Sequence, residues 1–231
     1  MAQEVRPAAP AAPAAAAPSP IADPAALGLA AFALTTFILS AHNAFGAGTS
    51  GLKVPTLAFL GFAIFYGGLG QFMAGMMEFR NRNTFGATAF TTYGAFWMGL
   101  AVLVVLLLAG KLTAPEFPQS VAWILLAFAI FNTYMLAWSA RINAAVFAVF
   151  LTLEITEILL VIGNFSGNAA GTGITAIGGY MGIITALVAW YASAAVVVNS
   201  QGPRAVLPVG NPLWAEQAPA ERPMRREVAG G

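Results

Sequence analysis

Six stretches of the chain, at about 25–45, 56–79, 85–109, 121–140, 143–162 and 174–198, are each close to twenty residues long and almost wholly apolar. A helix rises about 1.5 Å per residue and the hydrocarbon core of a bilayer is about 30 Å thick, so roughly 20 apolar residues make one crossing. In lipid a crossing segment must satisfy its own backbone N–H and C=O groups, which a helix does within itself. The pattern predicts an all-α membrane protein with six transmembrane helices in a bundle. Gly, Pro, Asn and the few charges gather in the breaks, GAGTSGLKVP, EFRNRN, GKLTAPEFPQ, SARIN and GNFSGNAAGTG. Only 8% of residues are charged, against about a quarter in a soluble domain.

Outside the spans the composition changes. Residues 1–22 are Ala/Pro-rich with no uninterrupted apolar core, and are expected to be a disordered tail rather than a cleaved signal peptide. Residues 203–231 are expected to form a second tail, leaving 23–202 as a single membrane domain. Lys and Arg accumulate on the cytoplasmic side of membrane proteins. Six crossings put both tails and the second and fourth loops on one face, with Arg6, Arg80, Arg82, Arg141, Arg204, Arg222, Arg225 and Arg226. The other face has Lys53 and Lys111. The expected location is the inner (plasma) membrane, multi-pass, with both termini cytoplasmic.

Several chemistries are excluded by what the chain lacks. It has no cysteine and one histidine, His42, so thiolate-held or His-rich metal sites are not expected. A formal charge of +1 without a basic run gives no footprint for nucleic acid. There is no HExxH, no GxSxG and no mid-span Lys for a retinal Schiff base, so neither an enzyme nor a cofactor is expected.

Bringing helices together in lipid yields no hydrophobic gain, so close packing relies on small residues. Gly67, Gly68, Gly70, Ala74 and Gly75 in the second span, and Gly178-x-x-x-Gly182 in the sixth, are expected at helix interfaces, within or between protomers. Polar groups in hydrocarbon cost several kcal/mol unless paired or facing a wet cavity, which makes them functional candidates. Glu154 and Glu157, near the middle of span five, share roughly one helix face at spacing i, i+3. Two carboxylates that close in a low dielectric cannot comfortably both ionise. They are either a protonatable site beside a permeation path or a hydrogen-bonded interhelical contact. Ser40, His42 and Asn43 close span one, Gln71 lies in span two, and Thr88, Thr91, Thr92 and Tyr93 open span three. Such hydroxyls and amides can replace part of a small anion's hydration shell, although a helical Thr also bonds its own i−4 carbonyl. The run from Gly163 through Asn164 and Asn168 to Gly171 is either a vestibule or re-entrant turn, or a plain polar loop.

Several ordered motifs resemble one family. Asp23-Pro24-Ala25-Ala26-Leu27-Gly28-Leu29 is similar to the Asn-Pro-Ala-Pro-Leu-Gly-Leu signature of the acetate uptake transporters, the succinate-acetate permease type. The likeness continues through Ala41-His42-Asn43, Phe65-Tyr66-Gly67-Gly68 with Gln71, and Ala74-Gly75 with Glu78. It is strongest from Asn83 to Trp97, NTFGATAFTTYGAFW, resumes at Ile162-Gly163-Asn164 and Gly167-Asn168-Ala169-Ala170, and closes at Val206-Leu207-Pro208-Val209-Gly210. The resemblance implies a hexamer of six-span protomers with a pore in each, passing acetate or succinate in a proton-linked or channel-like manner. It also implies a constriction of Phe32, Tyr93 and Leu153; the substrate path expected from the polar residues themselves runs along Asn43, Gln71, Thr91, Thr92, Asn164 and Asn168. The signature departs from the family at Asp23 and Ala26, where the family has Asn and Pro. Glu154 and Glu157 stand where Thr or apolar residues are expected, which points to tighter proton coupling or a different substrate. The alternative expectation is a pore for ammonia, ammonium or another small neutral solute.

Overall fold

The computed structural model describes residues 21–214. These residues form six long apolar helices: α1 (Ala25–Phe45), α2 (Leu60–Arg80), α3 (Thr84–Leu108), α4 (Glu116–Ser139), α5 (Ala144–Phe165) and α6 (Gly173–Asn199). They run from 21 to 27 residues, or about 32–40 Å at 1.5 Å per residue, enough for a crossing. The expected ends hold closely at α1 and α3. Helix α2 starts at Leu60 rather than 56, because residues 55–60 turn through Ala58 N–Pro55 O and Leu60 N–Leu57 O bonds. Helix α4 starts at Glu116 rather than 121, since the Glu116 carboxylate accepts from the Thr113 amide (2.8 Å) and hydroxyl (2.6 Å). A polar first turn favoured by the helix dipole is invisible to hydropathy. Asn83 and Asn143 cap α3 and α5, accepting from Gly86 N (3.0 Å) and Val146 N (2.9 Å).

Among the described residues, large polar side chains are buried within the bundle while many large apolar ones face outward. Its largest fully buried side chains are Gln71, Glu78, Asn132, Thr35, Thr185 and Ser139, while Phe62, Phe65, Met73, Val102, Ile130 and Ile177 point outward. Water would penalise such a surface and lipid does not, so the outer faces fit a hydrocarbon solvent. The expected small residues work inside the protomer. A Cβ at Gly179 would meet the Ala44 backbone and one at Gly182 the Ser40 side chain, so α6 lies directly on α1. Gly75 lies against the Thr91 backbone and Gly94 against the Phe72 backbone, which closes α2 on α3. Residues Phe65–Gly70 of α2 widen into a π-helical turn, with Gly67 facing Thr35 of α1.

Part of the segment expected as a second tail is held against the helix ends. Asn199 Oδ1 accepts from Val206 N (2.8 Å) and Leu207 N (3.0 Å). Ala145 N donates to Val209 O (2.9 Å) and Leu213 N to Ala140 O (2.8 Å). Trp214 stacks on Trp138 with ring centroids 5.7 Å apart, and the Arg141 guanidinium lies 5.8 Å from the Trp214 ring. The expectations for residues 1–20 and 215–231 fall outside the described residues. Between α5 and α6 the GNFSGNAAG run forms a tight turn tied to the end of α1 by Gly171 N–Asn43 O (2.8 Å). Its first three residues, Gly163–Phe165, are the last of α5, and Asn164 lines the cavity enclosed by α1, α3, α4 and α5.

Candidate functional site

Helices α1, α3 and α5 run in one direction across the bundle and, with the first half of α4, enclose a cavity of about 180 Å³. Its floor is made by Phe32 (α1), Tyr93 (α3) and Leu153 (α5), all buried in one apolar cluster. The Phe32 and Tyr93 rings meet edge to face, with centroids 5.8 Å apart at 64°. From the floor the cavity extends toward the far ends of the same helices, where His42, Asn43, Leu108 and Asn164 line it. Leu100, Val104, Val121 and Leu125 give it apolar walls. His42 Nδ1 lies 3.1 Å from Val54 O, so the loop after α1 is pinned at that end.

One wall is chemically different. Glu157 is 4% exposed and lines the cavity. The Tyr93 hydroxyl lies 3.2 Å from Glu157 Oε1 and 3.1 Å from Asn132 Oδ1. Asn132 Nδ2 donates to Glu154 Oε2 (2.7 Å) and to Phe150 O (3.0 Å), and Thr133 Oγ1 donates to Glu154 Oε1 (2.8 Å). A buried network thus joins α3, α4 and α5, and joins the two carboxyls through Tyr93 and Asn132. The hydroxyl has one hydrogen and two acceptors. A proton on Glu157 Oε1 lets Glu157 donate to Tyr93 while Tyr93 donates to Asn132, which leaves Glu157 Oε2 without a partner.

The cavity therefore gathers Phe32, Tyr93, Leu153, Asn43, Asn164 and Glu157. It does not gather the rest of the candidates. Gln71 is fully buried away from it, with Oε1 unpartnered. Thr91 and Thr92 line a separate groove with Phe72, Ala95, Ile124 and Phe128, and Thr91 Oγ1 bonds Ala87 O (2.6 Å) in its own helix. Asn168 Oδ1 accepts from Ile174 N (3.0 Å) at the start of α6. Glu154 bonds α4 and does not line the cavity. In the signature, Asp23 Oδ1 accepts from Ala25 N (2.9 Å), Pro24 stands at the start of α1, Leu27 is exposed, and Gly28 lets the Phe90 ring approach.

Asn132, Thr36 and Trp97 were not among the expected site residues. Asn132 was findable by the rule that singled out Glu154, being an amide in the middle of an apolar span. Thr36 was findable by the same rule, and Trp97 closes the strongest motif without having been singled out. No cluster of His, Cys, Asp and Glu suited to a metal occurs among the described residues.

Known proteins resemble this chain in sequence and in fold. The chain is 36% identical over 190 residues to the succinate-acetate/proton symporter SatP of Escherichia coli K12, covering 82% of this chain and 96% of that protein. It is 37% identical over 192 residues to ammonia transport outward protein 2 of Saccharomyces cerevisiae, covering 80% of this chain and 66% of the yeast protein. The chain spans about the same share, 65%, of the yeast accumulation of dyads protein 2. A solved structure of the bacterial acetate channel SatP superposes with a TM-score of 0.73 at 36% identity, covering 82% of this chain and 99% of that one. A model of the GPR1/FUN34/yaaH family matches residues 5–211. With six apolar crossings, these matches identify the chain as a multi-pass membrane protein belonging to the GPR1/FUN34/yaaH family.

Proposed function

We propose that the protein passes acetate and related short carboxylates across the inner membrane through the cavity between α1, α3, α4 and α5. One observation carries the reading: an apolar floor of Phe32, Tyr93 and Leu153 lies directly beneath a buried carboxyl, Glu157. An apolar ring gates by excluding water, and masking a solute's charge lowers the cost of crossing it. A carboxylate of ordinary pKa, between about 4 and 5 on the Asp and Glu scale, is readily neutralised in mild acid. Asn43 and Asn164 meet the solute at the wide end, the apolar ring strips its water, and Glu157 is the proton-linked group. Glu154 acts on that group through Asn132 and Tyr93. The names of the bacterial relatives agree with this substrate class. The proposal includes a homo-hexamer with a pore in each protomer, and both termini in the cytoplasm on the side of Arg80, Arg82, Arg141 and Arg204.

Labelled acetate uptake into proteoliposomes at several acidic pH values tests the reading. Uptake above empty vesicles is expected, and uptake equal to them throughout refutes it. A second reading, a pore for ammonia or ammonium, draws on Glu157, on the lack of Lys or Arg around the cavity, and on the name of the yeast relative. Reversal potentials under opposed acetate and ammonium gradients separate the two.

A further inference from the structure

Each residue of the apolar floor is followed, four positions along its own helix, by a polar residue lining the same cavity: Phe32 by Thr36, Tyr93 by Trp97, Leu153 by Glu157. Four residues are about one turn and about 6 Å of rise on the same face. Because α1, α3 and α5 run in one direction, the three polar residues form a second ring stacked on the first. They are 3–5% exposed, yet Thr36 Oγ1, Trp97 Nε1 and Glu157 Oε2 have no hydrogen-bond partner within the protein. Buried polar atoms are normally paired; among the described residues six are not, and while Thr35 Oγ1, Gln71 Oε1 and Glu78 Oε1 lie elsewhere in the bundle, these three line one cavity.

We infer that Thr36, Trp97 and Glu157 form a binding station for one short carboxylate together with one proton, immediately above the apolar floor. This rests on the transport reading given above. The indole N–H can only donate, and the Thr36 hydroxyl has a free hydrogen, so the ring offers two donors to an anionic oxygen. Glu157 Oε1 is engaged by Tyr93, which leaves Oε2 for the occupant. Two bare carboxylates in contact would repel, whereas one proton held between them gives a charge-assisted O–H···O bond. The occupied station therefore holds a single negative charge, shared by substrate and Glu157. Ammonium cannot accept from Trp97 and is rejected. The cavity, at about 180 Å³, has room for such a ligand with a few waters at about 30 Å³ each. Other titratable groups bear on Glu157 as follows. Tyr93 of α3 touches it, Glu154 of α5 reaches it through Asn132, His42 of α1 lies at the cavity's far end, and Tyr134 of α4 lies on the outer face. On α6, Thr185 bonds Thr156, the chain neighbour of Glu157, and is not titratable.

The test uses the full chain, purified, with acetate binding followed by saturation-transfer NMR of its methyl signal, alongside uptake in proteoliposomes. Trp97→Phe and Thr36→Val each remove one donor with little change of shape, and each should weaken acetate binding by about tenfold, the scale of one hydrogen bond to a charged group. Glu157→Gln can donate but cannot share a proton. In the wild type, affinity for the acetate anion should fall about tenfold per pH unit on the alkaline side, as the shared proton is lost. In Glu157→Gln it should stay level. Ammonium should not displace acetate from the wild type. Unchanged affinity in both donor variants, or the same alkaline fall in Glu157→Gln as in the wild type, overturns the station while leaving acetate uptake standing. Wild-type binding without uptake would instead remove the transport reading.

Discussion

Replacing Asn132 with alanine removes the side chain that ties three helices together at the buried level of Tyr93. Asn132 is 0% exposed and makes bonds to the Tyr93 hydroxyl (3.1 Å), Phe150 O (3.0 Å) and Glu154 Oε2 (2.7 Å). Interhelical hydrogen bonds in membranes average about 0.6 kcal/mol and reach about 1.7. Two neutral bonds at the average and one to a carboxyl at the upper end give about 3 kcal/mol. Truncation also leaves a small void, which Asn132→Leu would fill without restoring any bond. Equilibrium unfolding in mixed micelles should therefore show both variants destabilised, by about 2–3 kcal/mol, with the leucine form recovering only the packing part. The same variants should shift the pH profile of transport, because Glu154 and Glu157 lose the hydrogen-bonded link that Asn132 and Tyr93 make between them. If Asn132→Leu were as stable as the wild type, packing and not hydrogen bonding would hold this level of the bundle, and the network would have no structural weight.

Other outcomes follow from single contacts. Gly179→Ala drives a Cβ into the Ala44 backbone, which cannot move aside, whereas Gly99 has open space around it; melting in detergent should show a loss of about 1–3 kcal/mol at the first position and almost none at the second. Leu153→Ala shortens one side of the apolar floor and should raise acetate flux, while Tyr93→Ala should change selectivity; unchanged flux in both would remove the constriction from the mechanism. Trp214→Ala loses the stack on Trp138 and the Arg141 contact, each worth about 0.5–1.5 kcal/mol, so limited proteolysis should cut faster within 203–214, and equal cutting would show that the backbone bonds to Ala140 and Ala145 suffice.

The spans were legible because lipid sets a length and an apolar demand that any crossing segment must meet, and the six stretches met both. Their ends fell close to the expected ones beside Asn83 and Asn143, which the structure shows as caps, and less so at Glu116, where the helix begins with a charge that hydropathy scores as loop. The floor of the cavity followed from a resemblance, and the structure brings Phe32, Tyr93 and Leu153 into one cluster. Thr91 and Thr92 show the limit of reading polarity along a line. Both sit in the strongest motif, and neither reaches the cavity, because the face of α3 that carries Tyr93 and Trp97 turns them toward the groove beside α2. Gln71 and Asn168 went the same way, one into the α2 core and one to the start of α6.

From the chain alone came the solvent, the number of crossings, the small residues that let helices touch, and the presence of two costly carboxyls in span five. Helical period and hydropathy are properties of neighbours in sequence, so they carry that much. Which carboxyl faces the cavity, that Asn132 and Tyr93 connect the two, and that Thr36, Trp97 and Glu157 stand in one ring are decided by how α1, α3, α4 and α5 are rotated against each other. That rotation is set by close contacts between residues far apart in the chain, and no local pattern records it.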